Sequence, residues 1–271
     1  MRPTAPLSLF RPLPTGCGNR PVESAGPDAA ALPTMFALSV MASAALCLVA
    51  IVCAGETPFR SSVVALAICT IAATHYMGIL RLRLKNKVGG SSTEDSVDML
   101  RHSDWLITLP LLQFELFELA RKAGRNTEVG YLSPVSAIVL QVPVVLLGAL
   151  GRFYADQRVG ATSVTGLAGL VGYVGSTAIW LLTTVNFYAV LHSDDDSWSS
   201  DESTVSTWCW VLISVQWGYP LVTLVQILSK AHIDGFCLDE THLAILKDYA
   251  YAGLDITSKA TLVLVLTFTD L

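Results

Sequence analysis

The sequence predicts an all-α protein, a seven-transmembrane-helix bundle. Three observations carry that prediction. First, the 271 residues are 52% hydrophobic and only 14% charged, with a mean hydropathy of +0.54. Soluble domains carry about 25% charged residues, so water is not the main solvent of this chain. Second, the apolar residues fall into seven runs, each close to the roughly 20 residues needed to cross a bilayer core of about 30 Å. Third, most runs keep their charges at the ends, but the third and seventh carry them inside.

Composition excludes several functions. The net charge of -5 leaves no basic footprint for nucleic acid. The 6 cysteines (Cys17, Cys47, Cys53, Cys69, Cys209, Cys237) show neither CxxC nor Cys/His spacing. They read as small apolar residues in helices, not as metal ligands. No internal repeat and no Gly-rich phosphate loop is present, and a soluble enzyme is not expected.

Taken in order, residues 1–33 are rich in Pro and Gly and carry Arg2, Arg11 and Arg20. They read as a disordered or targeting tail, and residues 34–271 as the membrane domain. The predicted spans are Thr34–Ala54, Ser61–Leu82, Val97–Ala120, Pro134–Phe153, Val164–Leu191, Val205–Leu228 and Leu243–Thr269. A long loop is expected from Arg83 to Val97. The stretch His192–Thr204 holds Asp194, Asp195, Asp196, Asp201 and Glu202, and reads as a solvated acidic loop.

An ionisable group at bilayer depth costs roughly 2.5–3.5 kcal/mol on insertion scales, so each is a functional candidate. In the seventh span Asp255 and Lys259 are four residues apart and share a helix face. Alone, that pair reads equally well as a packing salt bridge. The third span decides the matter. Arg101, Asp104, Thr108 and Glu115 lie along one stripe, with Asp104 and Glu115 about 16 Å apart along the axis. A cation, an acid, a hydroxyl and a second acid in a row suit stepwise proton movement, not an inert lipid-facing helix.

These residues carry a resemblance to the microbial (type 1) rhodopsins, and to the proteorhodopsin-like proton pumps in particular. The third span reads Arg101-x-x-Asp104-Trp105-Leu106-x-Thr108-x-Pro110-Leu111-Leu112, and the seventh Asp255-x-x-x-Lys259. The sixth holds Trp217-Gly218-Tyr219-Pro220, one residue shorter than Trp-x-x-Tyr-Pro, and the second holds His75-Tyr76-Met77. Each motif is weak alone; all four in this order, on these spans, are specific.

The resemblance implies covalent all-trans retinal, held as a Schiff base by Lys259. Asp104 and Asp255 would be its counterions, with Arg101 balancing the charge. Thr108 would hydrogen-bond Asp104, His75 would hydrogen-bond the same counterion, and Glu115 would return the proton from the cytoplasmic side. Trp105, Leu112, Trp217, Tyr219, Pro220 and Ser258 match chromophore-contacting positions; Tyr219 would also reach Asp255, and Leu112 matches a colour-tuning position. Thr223 stands where bulkier aromatics often close the pocket, and His102 where Tyr is usual. No pair of acids matches an extracellular proton-release group; Asp239, Glu240 and Asp248 read as solvated.

The implied function is a light-driven outward proton pump, with a light-gated channel or a photosensor on the same scaffold as the alternatives. The implied partners are the lipid bilayer, protons and further copies of the chain in a trimer or pentamer. Loop charges oppose the family orientation. With the N-terminus outside, Arg81, Arg83, Lys85 and Lys87 lie outside as well, against the positive-inside rule. The family orientation is retained because Glu115 must face the uptake side.

Overall fold

A computed structural model describes residues 27–54, 59–85, 91–155, 164–192, 200–230 and 240–268. Among these the helical segments are α1 (Pro27–Ala54), α2 (Phe59–Lys85), α3 (Ser91–Lys122), α4 (Pro134–Val139), α5 (Gln141–Ala155), α6 (Val164–Leu191), α7 (Ser200–Gln216), α8 (Gly218–Lys230) and α9 (Glu240–Phe268). No strand occurs among the described residues.

Nine segments make seven rods because two rods are interrupted by proline. Pro143 cannot donate to the carbonyl of Val139, so the helical ladder breaks between α4 and α5. Pro220 likewise leaves the Gln216 carbonyl without its helical donor, and α7 gives way to α8 there. Flanking bonds hold each rod together: Val144 N donates to Leu140 O at 3.3 Å, and Trp217 N to Ile213 O at 3.1 Å. The seven predicted spans correspond to these seven rods.

Among the described residues, five stretches are long and apolar enough to cross a membrane: Ala31–Ala50, Ser62–Lys85, Pro134–Phe153, Leu167–Leu191 and Ser206–Leu228. The remaining two rods, α3 and α9, carry the charges buried at mid-span. They are protein-facing on the sides that hold those charges, since Asp104, Glu115, Asp255 and Lys259 are all buried. Large apolar side chains such as Leu46, Leu146, Leu170, Val171 and Leu221 point outward instead, as lipid as solvent requires.

Three boundaries depart from the sequence reading. α1 begins at Pro27, so its first turns fall inside the stretch expected to be a tail. The expected loop from Arg83 to Val97 is largely helical: α2 runs on to Lys85 and α3 starts at Ser91. Glu94 in the first turn of α3 suits the positive end of the helix dipole, and it also meets Arg83. Finally, α7 starts at Ser200 and takes in part of the expected acidic loop, whose Asp194, Asp195 and Asp196 lie outside the described residues, as do residues 1–26 and Asp239.

In a bilayer, helices associate through close packing of small residues and interhelical hydrogen bonds. The α5–α6 contact shows both. A methyl group on Gly172 would meet Leu147 O at 2.7 Å and Gly151 N at 2.8 Å, so the two backbones touch. One turn away Ser176 donates to Val144 O across the same interface at 2.7 Å. This contact fixes one wall of the cavity described next.

Candidate functional site

Lys259 projects from α9 into the centre of the bundle and is 1% exposed. A buried ammonium needs paired anions, and α3 and α9 supply them. Its Nζ donates to Asp104 Oδ2 at 2.7 Å and lies 3.3 Å from Asp255 Oδ1. The helical spacing of four brings Asp255 and Lys259 to one face, as the sequence reading expected. Two phenols complete the cluster: Tyr76 of α2 donates to Asp255 Oδ2 at 2.6 Å and Tyr219 of α8 to Asp255 Oδ1 at 2.5 Å. Tyr219 was expected to reach Asp255. Tyr76 was visible only as part of a motif.

An apolar cavity opens beside this cluster. His102, Trp105 and Leu109 of α3 line it, with Val144, Val145 and Gly148 of α5, Tyr173, Ser176, Thr177 and Trp180 of α6, and Tyr219, Pro220 and Thr223 of α8. Trp105 packs edge-on to Tyr219 and to Tyr251, with ring centroids 5.0 and 5.1 Å away. Tyr219 thus belongs both to the cavity wall and to the Lys259 cluster, and the two spaces adjoin.

The other expected positions divide. Trp105, Tyr219 and Pro220 line the cavity. Leu112 and Ser258 are buried but do not line it; Ser258 Oγ sits 3.4 Å from the Tyr219 hydroxyl. Trp217 is half-buried against the core and is not a lining residue. The missing residue in Trp217-x-Tyr219 explains this, because a step of two turns Trp217 well away from the Tyr219 face of the helix. Gln216, three residues before Tyr219, is buried instead.

Three partners also differ from expectation. Thr108 Oγ1 donates to the backbone carbonyl of Asp104 at 3.0 Å, not to its carboxylate. His75 uses Nδ1 to donate to Ile71 O at 2.9 Å and stands 3.7 Å from Asp104 Oδ1, beyond a hydrogen bond. Arg101 turns away from Asp104. It donates to Asp248 at 2.7 Å and to Asp98 at 3.3 Å, and its guanidinium lies 5.2 Å from the centre of the Tyr251 ring.

Asp248 is not the solvated acid that the sequence reading expected. It is buried and paired with Arg83 at 2.6 Å as well as with Arg101. Asp98 is paired with Lys247 and Arg152, each at 2.8 Å. Glu94 is paired with Arg83 and, at 3.0 Å, with Lys247. These seven side chains tie α2, α3, α5 and α9 together at one end of the bundle. Their signal was present in the sequence: Glu94, Asp98 and Arg101 are spaced by four and three, and Asp248, Tyr251, Asp255 and Lys259 continue one face of α9. Outside the spans, Glu94 shows the electrostatic effect. Burial works against its charge, but Arg83 and Lys247 hold its carboxyl down at about 2.

Glu115 is fully buried on α3, toward the opposite end of that helix from the ion cluster. Its neighbours along the helix, Leu112, Leu116 and Leu119, are buried with it. Asp104 therefore has a cationic cluster on one side along α3 and a single buried acid on the other.

The sequence profile of the bacteriorhodopsin-like protein family matches residues 30–270. The chain is a member of the bacteriorhodopsin-like protein family. The fold agrees with solved microbial rhodopsins. A thermophilic rhodopsin superposes with a TM-score of 0.66 at 14% identity, over 89% of this chain and 91% of that one. The rhodopsin of Exiguobacterium sibiricum gives 0.62 at 17%, over 89% and 95%. The proton pumping rhodopsin AR2 of the marine alga Acetabularia acetabulum gives 0.62 at 18%, over 88% and 94%. No curated protein is a significant sequence match. As a bacteriorhodopsin-like protein with several long apolar helices, the chain is an integral, multi-pass membrane protein. Membership implies a retinal chromophore, and the site suits one: a buried lysine, its anions and an aromatic-walled cavity adjoin.

Proposed function

We propose that the protein is a light-driven outward proton pump that carries all-trans retinal covalently on Lys259. The observation that carries this reading is the arrangement along α3. Asp104 touches the Lys259 nitrogen at 2.7 Å, and Glu115 is fully buried about 16 Å further along the same helix. One acid is placed to take a proton from the lysine nitrogen and the other to approach it from the opposite side.

Retinal supplies the light-driven change at the Lys259 nitrogen. The residues of this chain do the rest. Asp104 and Asp255 stabilise a positive charge at that nitrogen, since an unpaired cation in a low-dielectric core is costly. Tyr76 and Tyr219 both donate to Asp255. Those bonds occupy both carboxylate oxygens of Asp255 and leave Asp104 as the acid that accepts directly from the lysine nitrogen. Trp105 and Tyr219 would orient the chromophore from the cavity wall, and the buried Leu112 and Ser258 would back that wall. Glu115, buried among leucines, is the acid expected to return the proton.

Support for pumping over passive conduction comes from that second acid, which a channel does not need. The test is illumination of cells expressing the protein in unbuffered salt, with external pH recorded. A pump acidifies the medium in the light, and an uncoupler abolishes the signal. A photocurrent that reverses sign with the ion gradient assigns the protein as a channel instead.

A further inference from the structure

Two polar faces meet in register between α8 and α9. Tyr219 of α8 donates to Asp255 of α9 at 2.5 Å. Four residues on along α8 and four back along α9, Thr223 Oγ1 lies 3.2 Å from the Tyr251 hydroxyl. The helices run antiparallel, so a further three residues on each brings Gln226 level with Asp248. Gln226 is 3% exposed. Neither its Oε1 nor its Nε2 has a hydrogen-bond partner among the described residues. A primary amide buried without partners pays its full desolvation penalty with nothing in return, and buried polar groups of this kind are commonly met by ordered water. Arg83 Nε and Arg101 Nε, on the two guanidinium groups that hold Asp248, are also buried and without a partner among the described residues.

We propose that this α8–α9 face is the outward proton route, with Gln226 holding the water that joins Tyr251 to the Asp248 ion cluster. The proposal rests on the pump reading above. It gives a use to the hydroxyl of Thr223, which meets Tyr251 across the interface. The rungs are Tyr219 with Asp255, Thr223 with Tyr251, and Gln226 with Asp248. A proton entering at the inner carboxylates crosses to the Thr223–Tyr251 rung through water; each hydroxyl oxygen accepts a proton as it passes its own on, Thr223 turning from the Tyr219 carbonyl at 3.1 Å to do so, and each then turns back. One proton leaves at the ion cluster, no group is left changed, and no oxidant or co-reactant is required. Apolar residues at positions 223 and 226 would seal the interface as well or better, so packing alone does not account for them.

The test uses the full chain with retinal in lipid vesicles, excited by a flash. Two clocks are read: the infrared carbonyl band of Asp104, and a pH-indicator dye on the outer surface. In Thr223→Val and Gln226→Leu the dye signal should lag behind the Asp104 band about tenfold longer than in the parent, an added barrier of about 1.4 kcal/mol. Thr223→Ser, which keeps the hydroxyl, should release protons at the parent rate. Tyr251→Phe keeps the ring and removes only the middle hydroxyl; it forms a third arm should either of the others fail to yield pigment, and it should show the same lag. Release at the parent rate in Gln226→Leu or in Tyr251→Phe overturns the route. A parent that moves no protons at all overturns the pump reading itself, a result distinct from a pumping parent with unaffected variants.

Discussion

Arg101 is bonded to Asp248 at 2.7 Å and not to Asp104, although Asp104 stands only one turn away on its own helix. Among the described acids, Asp104 and Asp255 alone therefore balance the nitrogen of Lys259, with the arginine belonging to the outer ion cluster. Replacing Arg101 by Gln should strip Asp248 and Asp98 of a shared cation. Truncating one partner of a buried ionic network costs about 3–5 kcal/mol, so thermal bleaching of the pigment should begin at markedly lower temperature. If Arg101 were a direct counterion partner, the dominant effect would be on colour and the bleaching temperature would hold.

Lys259→Ala should give a folded protein that stays colourless with added all-trans retinal. Lys259 is the lysine buried at mid-span between two carboxylates. An absorption band surviving in that variant refutes the attachment.

Asp104→Asn should shift the visible band to the red and stop net transport. The carboxylate at 2.7 Å stabilises positive charge at the nitrogen, which is larger in the dark state than after excitation. Acid titration of the parent should reproduce the shift. A spectrum indifferent to both would remove Asp104 from the counterion role.

Glu115→Gln should leave the dark band nearly unchanged and slow the last phase of the photocycle, in which the lysine nitrogen regains its proton. Added azide, a diffusible proton carrier, should restore part of the rate. The acid is fully buried and remote from the chromophore's charged end, so the two effects separate. Decay at the parent rate in this variant contradicts the donor role.

The ion cluster makes stability depend on acid. Glu94 is held at about 2, well below the usual 4.5, because burial is outweighed by Arg83 and Lys247. A depressed carboxyl stabilises the fold fully above the unfolded value, and that contribution fades as pH falls from about 4.5 towards 2. Glu94→Gln should flatten this acid limb of the stability curve. Melting temperature followed by pigment colour from pH 5 to 2 checks it, and parallel curves for the two proteins contradict it.

The seven rods were legible because bilayer thickness fixes how long an apolar run must be, and Lys259, Asp104 and Asp255 because charge at depth is rare. Trp217 misled because a motif is read in letters while a helix is read in angles; one residue fewer before Tyr219 turns its side chain away from the cavity. Asp248 misled for a different reason. An acid near a helix end looks solvated until its partners on two other helices are known, and no local pattern reports that Arg83 lies beside it. The same non-locality hid Tyr76, whose role depends on a contact with Asp255 far along the chain. The ladder rung of Thr223 and Tyr251 was half visible, as an unexpected threonine without a stated partner.

The two proline breaks fall at the same height, beside the cavity: Val144 and Val145 follow Pro143, and Tyr219 and Pro220 are themselves lining residues. At each joint one carbonyl, that of Val139 or Gln216, never had a helical donor to lose. Bending α4–α5 or α7–α8 away from these joints requires breaking a rung of the helical spine; bending them here does not. The walls on two sides of the cavity are thus articulated where a change in the shape of its contents would push, and the rods above and below can tilt as levers. The α6 rod meets α5 backbone to backbone along the Gly151–Gly172 seam and donates from Tyr173 to Pro220 O at 3.3 Å, so it links the two broken rods.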